Sequence, residues 1–317
     1  MKKLAQVLVL ILIVSSMIGC SAKKEGKEEV KGDKDLEFVL ITMDSMDEHW
    51  LSVKAGAEQK IAELERVNLT FRAPSGKVDP NEQTRMTEDA INQKADAILI
   101  APSDKTALAP VIDRAHDAGI PVVIIDSPAD TENYISFLAT DNYAAGALAA
   151  DTLAEKIGSK GKVAIVNAQP GSGTSISRES GFTDKIKESY SDIEVVSIQY
   201  CNGDKTKALD QATDIMTANP DLVGFYGCNE GSTVGICKAV EEAGKVDTIS
   251  IIGFDKSSDI ITAIENNILD ASMVQSPNLM GYKGVEMAYN HIKGEEVEKE
   301  INTGVKVITA DNVDTIK

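Results

Sequence analysis

The chain has 317 residues, a formal net charge of −18 and a sequence pI near 4.6. That balance excludes nucleic acid as a partner, because phosphate binding is driven by clustered Lys and Arg. An acidic surface keeps a secreted protein soluble.

At the N-terminus, Lys2 and Lys3 precede an apolar run from Leu8 to Val14 and the small-residue approach Ser15-Ser16-Met17-Ile18-Gly19-Cys20. This is the layout of a secretory signal, and the run is short against the roughly 20 residues that a spanning helix needs. Residues 1–20 are therefore expected to be an export signal. The segment Ser21 to Asp35 holds almost nothing apolar except Val30, so it cannot repay the entropy of ordering and reads as a solvated tether.

From Leu36 onward, short runs rich in Val and Ile recur: FVLIT, AILIAP, PVVIID, VAIVNA, VVSIQ, LVGFYG and SIIGFD. Strands buried on both faces look like this. Amphipathic stretches of helical length alternate with them, at Leu51–Arg66, Glu82–Gln93, Ala107–Ala118, Ala144–Ile157, Lys205–Thr217 and Thr233–Ala243. Ala118-Gly119-Ile120-Pro121 and Glu242-Ala243-Gly244 supply glycine helix stops. The class is α/β with parallel sheets, in two similar blocks, roughly Leu36–Asp126 and Gly161–Asp255.

In open parallel sheets ligands sit beyond the carboxyl ends of the strands. The segments there are Met43 to Trp50, Ala101 to Asp104, Asp126-Ser127, Gln169 to Arg178, Tyr200 to Asp204, Cys228 to Glu230, and Asp255. Their carboxylates, amides and hydroxyls, with one Arg and one Trp, suit a polyhydroxylated ligand. Asp126 and Asp255 have helix capping as an alternative role, Asn229 a turn, Trp50 plain core, and Arg178 an exposed helix position. His116 and Glu179 read as outward-facing helix positions.

No catalytic or cofactor signature is complete. Gly171-Ser172-Gly173 has Ile176 where the third glycine of a dinucleotide loop belongs, and neither a phosphate loop nor a nucleophile elbow is present. The three histidines, His49, His116 and His291, lack metal-ligand spacing, so neither catalytic residues, cofactor nor metal is expected. Besides Cys20 there are Cys201, Cys228 and Cys237, with no metal-like spacing and no disulfide framework; Cys228 could pair with Cys237 or simply be buried.

Ile18-Gly19-Cys20 resembles the bacterial lipoprotein signal, in which the cysteine is lipidated. The stretches His49-Trp50, Lys54 to Ala57, Ala118 to Asp126, Thr140-Asp141-Asn142, Gly173 to Ser175, Arg178 to Phe182, Asn229-Glu230, Gly253-Phe254-Asp255 and Gln275-Ser276-Pro277 resemble the periplasmic binding proteins of the ribose and galactose type, whose lobes are shared with the LacI-type effector domains. The resemblance implies two doubly wound parallel-sheet lobes joined by a three-strand hinge, residues 36–140 plus 276–303 and residues 141–275 plus 304–317.

It also implies a ligand site of Asp47, His49, Trp50, Asp126, Arg178, Asn229, Asp255 and Gln275, with Trp50 against the sugar ring and the others exchanging hydrogen bonds with hydroxyls. Ribose-type proteins carry an arginine where this chain has Ser127, an aromatic where it has Gly203, an amide at Asp47 and a second aromatic at His49. The expected protein is a monomeric, lipid-anchored, extracytoplasmic subunit that hands a small sugar or polyol to an ABC permease and its ATPase. A ligand-presenting receptor for a sensor kinase or quorum system, and a secreted carbohydrate-active enzyme, are the alternatives.

Overall fold

The computed structural model describes residues 34–75 and 78–316; the signal and nearly all of the tether expected at residues 1–35 lie outside them. The first half of the chain builds β1 (Leu36–Ile41), α1 (Glu48–Ala62), β2 (Val67–Arg72), α2 (Pro80–Asn92), β3 (Ala97–Ile100), α3 (Lys105–Asp117), β4 (Val122–Ile125) and β5 (Ser136–Ala139). The second half builds α4 (Asn142–Lys156), β6 (Gly161–Asn167), α5 (Gly173–Ser189), β7 (Ile193–Tyr200), α6 (Lys205–Ala218), β8 (Leu222–Gly227), α7 (Glu230–Glu242), β9 (Ser250–Phe254), α8 (Ser258–Glu265) and β10 (Ala271–Val274). Then come α9 (Pro277–Ile292), β11 (Glu300–Asn302), β12 (Lys306–Ile308) and a 3₁₀ turn, Val313–Ile316.

The strands form two six-stranded sheets with the same winding, β2-β1-β3-β4-β5-β11 and β7-β6-β8-β9-β10-β12. Every pairing is parallel except β10 with β12. The expected α/β class, with two similar doubly wound sheets, is what the chain adopts. Continuous apolar strands follow from burial on both faces: Phe38 and Leu40 of β1 join one core cluster while Val39 and Ile41 join another on the opposite face. The second sheet is treated the same way, with Ile251 of β9 on one side and Ile252 and Phe254 on the other.

The chain crosses between the sheets after β5, after β10 and between β11 and β12. As a result α9 returns to pack on α1, and α4 packs on α5. Each of these helix pairs is set by glycine. A Cβ on Gly56 or Gly281 would come within 1.9 Å of Asn278 O or Val53 O, and one on Gly146 or Gly181 within 2.2 Å of Arg178 O or 2.0 Å of Tyr143 O. The helices therefore touch backbone to backbone, which fixes the height of α5, and of Arg178 on it, above the second sheet.

The sequence reading places the helix starts late, except at Lys205, where reading and structure agree. α1 begins at Glu48 and α7 at Glu230, so His49 and Trp50 sit in a helical first turn rather than in a loop. The glycine stops are as read: Gly119 and Gly244 take φ of 76° and 63°. Cys201, Cys228 and Cys237 are buried free thiols, so Cys228 and Cys237 are unpaired. No helix among the described residues is long and apolar enough to cross a membrane.

Candidate functional site

The carboxyl ends of both sheets face one cavity, and the eight residues expected to form the site all line it: Asp47, His49, Trp50, Asp126, Arg178, Asn229, Asp255 and Gln275. The loops read as cleft-facing also contribute Met43, Asp44, Gln169, Ser172, Thr174, Ser175 and Gly203. Ala168, just after β6, and Val78, from the segment before α2, complete the wall, and nothing in the sequence context of Val78 marks it.

Asp126 and Asp255 occupy equivalent places. Each follows the central strand pair of its sheet, β4 or β9, and each donates its backbone N–H to the next strand, Asp126 to Leu138 O at 2.7 Å and Asp255 to Met273 O at 2.9 Å. Both are left-handed, with φ of 65° and 72°. That conformation is uncommon for a residue with a Cβ, and Asp is among the types that tolerate it. It turns the carboxylate off the strand and into the cavity. Neither is the N-cap of the helix that follows it: α4 is capped by Asp141 and α8 by Ser257, while Asp255 Oδ2 accepts the N–H of Glu230, the first residue of α7, at 3.1 Å.

His49 stands between the two acids. Its Nε2 is 3.1 Å from Asp126 Oδ2 and its Nδ1 is 3.4 Å from Asp255 Oδ1. The approach to Asp126 is close but poorly aligned for a hydrogen bond, so both atoms retain capacity for a further partner. Burial opposes charge on the imidazole, but the two carboxylates outweigh it and carry its pKa up to about 10. Burial likewise works against the Asp255 carboxylate; His49 and Arg178 prevail and hold its pKa down at about 2. Because His49 and Asp126 belong to the first sheet's side and Asp255 to the second's, this charge pair spans the cleft.

Arg178 is 4% exposed and held on three sides. Its Nε donates to Asn142 Oδ1 at 2.8 Å, its Nη1 donates to Cys228 O at 2.8 Å, and the guanidinium lies 3.6 Å from the Phe254 ring centroid. Its Nη2 is buried without a partner. The exposed-helix alternative is thereby excluded, and Asn142, the first residue of α4, emerges as the positioning partner that sequence reasoning passed over.

The remaining residues divide their groups between fold and cavity. Asn229 caps α7, its Oδ1 accepting the Ser232 N–H at 3.1 Å, while its amide nitrogen faces Gly203. Gln275, at the second crossing, donates to Asp255 Oδ1 at 2.6 Å and keeps a buried, unpaired Oε1. Trp50 is both core and wall: it packs in the cluster under the first sheet, meets His49 edge to face at 4.6 Å and lines the cavity. Ser127 is fully buried with an unpaired hydroxyl, and Gly203 takes φ of 74°.

His116 is exposed as expected, but Glu179 is not outward-facing; it accepts from Asn167 Nδ2 at 3.0 Å and from Tyr200 Oη at 2.8 Å. Among the described residues no group of three or more His, Cys, Asp or Glu side chains could hold a metal ion.

The lobes touch at both rims. Ser258 N donates to Glu48 Oε1 at 3.2 Å on one side, and Lys105 N donates to Gly171 O at 3.1 Å on the other. Groups without an aligned hydrogen bond thus collect in a desolvated space: Arg178 Nη2 and Gln275 Oε1, with His49 Nε2 and Asp126 Oδ2, which meet as an ion pair at 3.1 Å. Buried polar groups of this kind need partners, and a small hydroxylated molecule supplies both donors and acceptors.

Comparison with known proteins agrees with this geometry. Residues 38–296 match the family model described as periplasmic binding protein domain. The ribose import binding protein of Bacillus subtilis is 29% identical over 312 residues, covering 98% of this chain and 99% of that one. A solved ABC transporter solute-binding protein from Agrobacterium vitis, with bound D-fucose, is 39% identical at a TM-score of 0.86, covering 88% of this chain and 97% of that one. A carbohydrate transporter solute-binding protein from Agrobacterium radiobacter, in complex with D-arabinose, is 33% identical at a TM-score of 0.85, covering 88% and 95%. With its two like-wound sheets and the cavity between them, the chain belongs to the periplasmic binding protein family.

Proposed function

We propose that the chain is the sugar-binding subunit of an ABC importer, closing its two lobes on one small sugar or polyol at Asp47, His49, Trp50, Asp126, Arg178, Asn229, Asp255 and Gln275. The observation that carries this reading is the pair of left-handed acids at equivalent strand ends, facing each other across one buried cavity. A ligand that bridges them has more contacts in the closed form than in the open one, and that difference is what shifts the population. Residues 36–140 plus 276–303 form one lobe and residues 141–275 plus 304–317 the other, with the three crossings as the hinge. The relatives are binding proteins, which supports capture without turnover.

A neutral-sugar panel tests the reading. At 100 times Kd a ligand adds about 2.7 kcal/mol of stability, so D-fucose, D-arabinose, D-ribose or D-allose should raise the melting temperature, and small-angle scattering should report a more compact protein. A tight ligand that leaves the scattering profile unchanged would remove the hinged mechanism.

Family membership implies a place outside the cytoplasm. A lipid on Cys20, which lies outside the described residues, would hold the monomer at the membrane beside the permease and its ATPase. Cys20→Ala is expected to yield unprocessed or freely released protein that still binds, because the sequence from Ser21 to Asp35 holds almost nothing apolar with which to support the fold. A Cys20→Ala protein processed and membrane-retained like the parent would refute the anchor.

A further inference from the structure

Asp47 is 9% exposed, yet among the described residues its carboxylate has no hydrogen-bond partner and no cation within ion-pair distance. It precedes α1 without capping it; the loop's own capping is done by Asp44, whose Oδ1 accepts the Met46 and Asp47 N–H groups at 2.8 and 3.0 Å. The side chain lines the main cavity and also an adjoining one formed with Asp44, Val78, Gly203, Asp204 and Lys205, so it stands where the two meet.

Among the described residues the charges around it do not balance. From the β1–α1 loop comes Asp44, from α7 Glu230, from the end of β9 Asp255, and from the loop before α6 Asp204. The cations are engaged elsewhere. Lys205 Nζ lies 3.2 Å from Glu230 and 3.1 Å from Asp259, His49 sits between Asp126 and Asp255, and the Arg178 guanidinium, held in place by Asn142 and Cys228, acts on Asp255. A buried carboxylate with no counter-charge is costly, and a ligand can supply what the protein withholds. A neutral hydroxyl would offer Asp47 one hydrogen bond; an ammonium group would offer a hydrogen bond and the missing charge.

Resting on the sugar-binding reading above, we infer that the ligand is a sugar or polyol bearing a protonated amine, and that Asp47 is the residue that selects it. Burial, with Asp44, Glu230 and Asp255 adding to it and Lys205 opposing, carries the Asp47 pKa up to about 8. Near neutrality the free site therefore holds Asp47 as the acid. Docking of an ammonium group ionises it, the amine keeps its own proton, and the proton from Asp47 passes to solvent. The resting site is then open to an amine without carrying a bare buried charge.

Calorimetry on the purified protein separates the possibilities, with D-glucosamine, D-galactosamine and D-mannosamine as probes against their neutral and N-acetylated counterparts. The inference expects one amino sugar to bind at least about tenfold more tightly than its neutral counterpart. It also expects release of about one proton per ligand near pH 6.5, read from the difference between buffers of unlike ionisation enthalpy, with none released by the neutral sugar. Asp47→Asn should remove both the preference and the proton release, and a melting temperature of the unligated variant close to the parent's should show that it still folds, since among the described residues the Asp47 side chain makes no hydrogen bond on which folding depends.

Neutral sugars that bind as tightly as the amines, without proton release, would overturn the amine specificity and leave the sugar-binding reading intact. An Asp47→Asn protein that keeps the preference would overturn the role of Asp47. If neither class of probe binds, both this inference and the sugar reading fall.

Discussion

Arg178→Ala is expected to lower affinity for the best-binding sugar by about a hundredfold or more. Hydrogen bonds to charged groups contribute about 1.5–3 kcal/mol each, and each 1.4 kcal/mol is about tenfold in Kd. Nη2 is the nitrogen left without a protein partner, and its aim depends on the whole clamp of Asn142, the Cys228 carbonyl and the Phe254 face. Arg178→Lys keeps the charge and loses the planar fork, so it should recover little of the affinity. His116→Ala, on an exposed helix face, is the control. Arg178→Ala that stays folded and binds within about threefold of the parent would take Arg178 out of the site.

The variant should also lose stability, because it leaves Asn142 Oδ1 and the Cys228 carbonyl without their donor inside a dry core. Asn142→Ala separates the two effects. It leaves the guanidinium in place but unsteered, so affinity should fall by less than for Arg178→Ala.

What sequence made legible here is what chain order alone encodes. Strands buried on both faces advertise themselves as Val- and Ile-rich runs, and in a parallel sheet the residue after each run points to the ligand end. Asp126 and Asp255 could therefore be found without coordinates. Their left-handed backbones could not, since Asp caps helices as readily as it turns a strand end. The short strands β5 and β10 to β12 lie at the sheet edges or beside the crossings, where runs of three or four residues carry no clear period, and β2, VNLTFR, alternates apolar with polar residues, so a search for continuous apolar runs passes over it.

Partnership across the cleft was equally hidden. Nothing in the sequence places His49 between two acids separated from it by 77 and 206 positions, nor Asn142 against Arg178. Glu179 shows the limit from the other side. A Glu beside an Arg on a helix reads as solvated, yet the turn of α5 directs it onto Asn167 and Tyr200 instead.

Asp255→Ala is expected to cost the closed form about 3–5 kcal/mol, the usual penalty for leaving one partner of a buried charge pair alone. Three groups lose their acceptor at once: His49 Nδ1, the Gln275 amide and the Glu230 N–H. Alanine also tolerates the φ of 72° less well than aspartate does. Asp255→Asn retains the backbone tolerance and an acceptor while removing the charge, so it isolates the ion pair.

Because the pair spans the cleft, the cost has an outlet: opening the lobes returns the His49 imidazolium to water. Denaturant melts of Asp255→Asn should therefore show a smaller loss than scattering does, with the protein folded but more open. The pH dependence follows from the same pair. A raised histidine pKa stabilises fully below its ordinary value and is lost as pH rises toward about 10; a lowered aspartate pKa stabilises above its ordinary value and is lost as pH falls toward about 2. The parent should accordingly be most compact between about pH 4 and 6.5 and open progressively on either side. In Asp255→Asn only Asp126 still faces the imidazole, so the alkaline opening should begin at lower pH than in the parent. Scattering profiles of the parent that superimpose at about pH 5 and pH 10.5 would show that the His49 pair does not hold the lobes together.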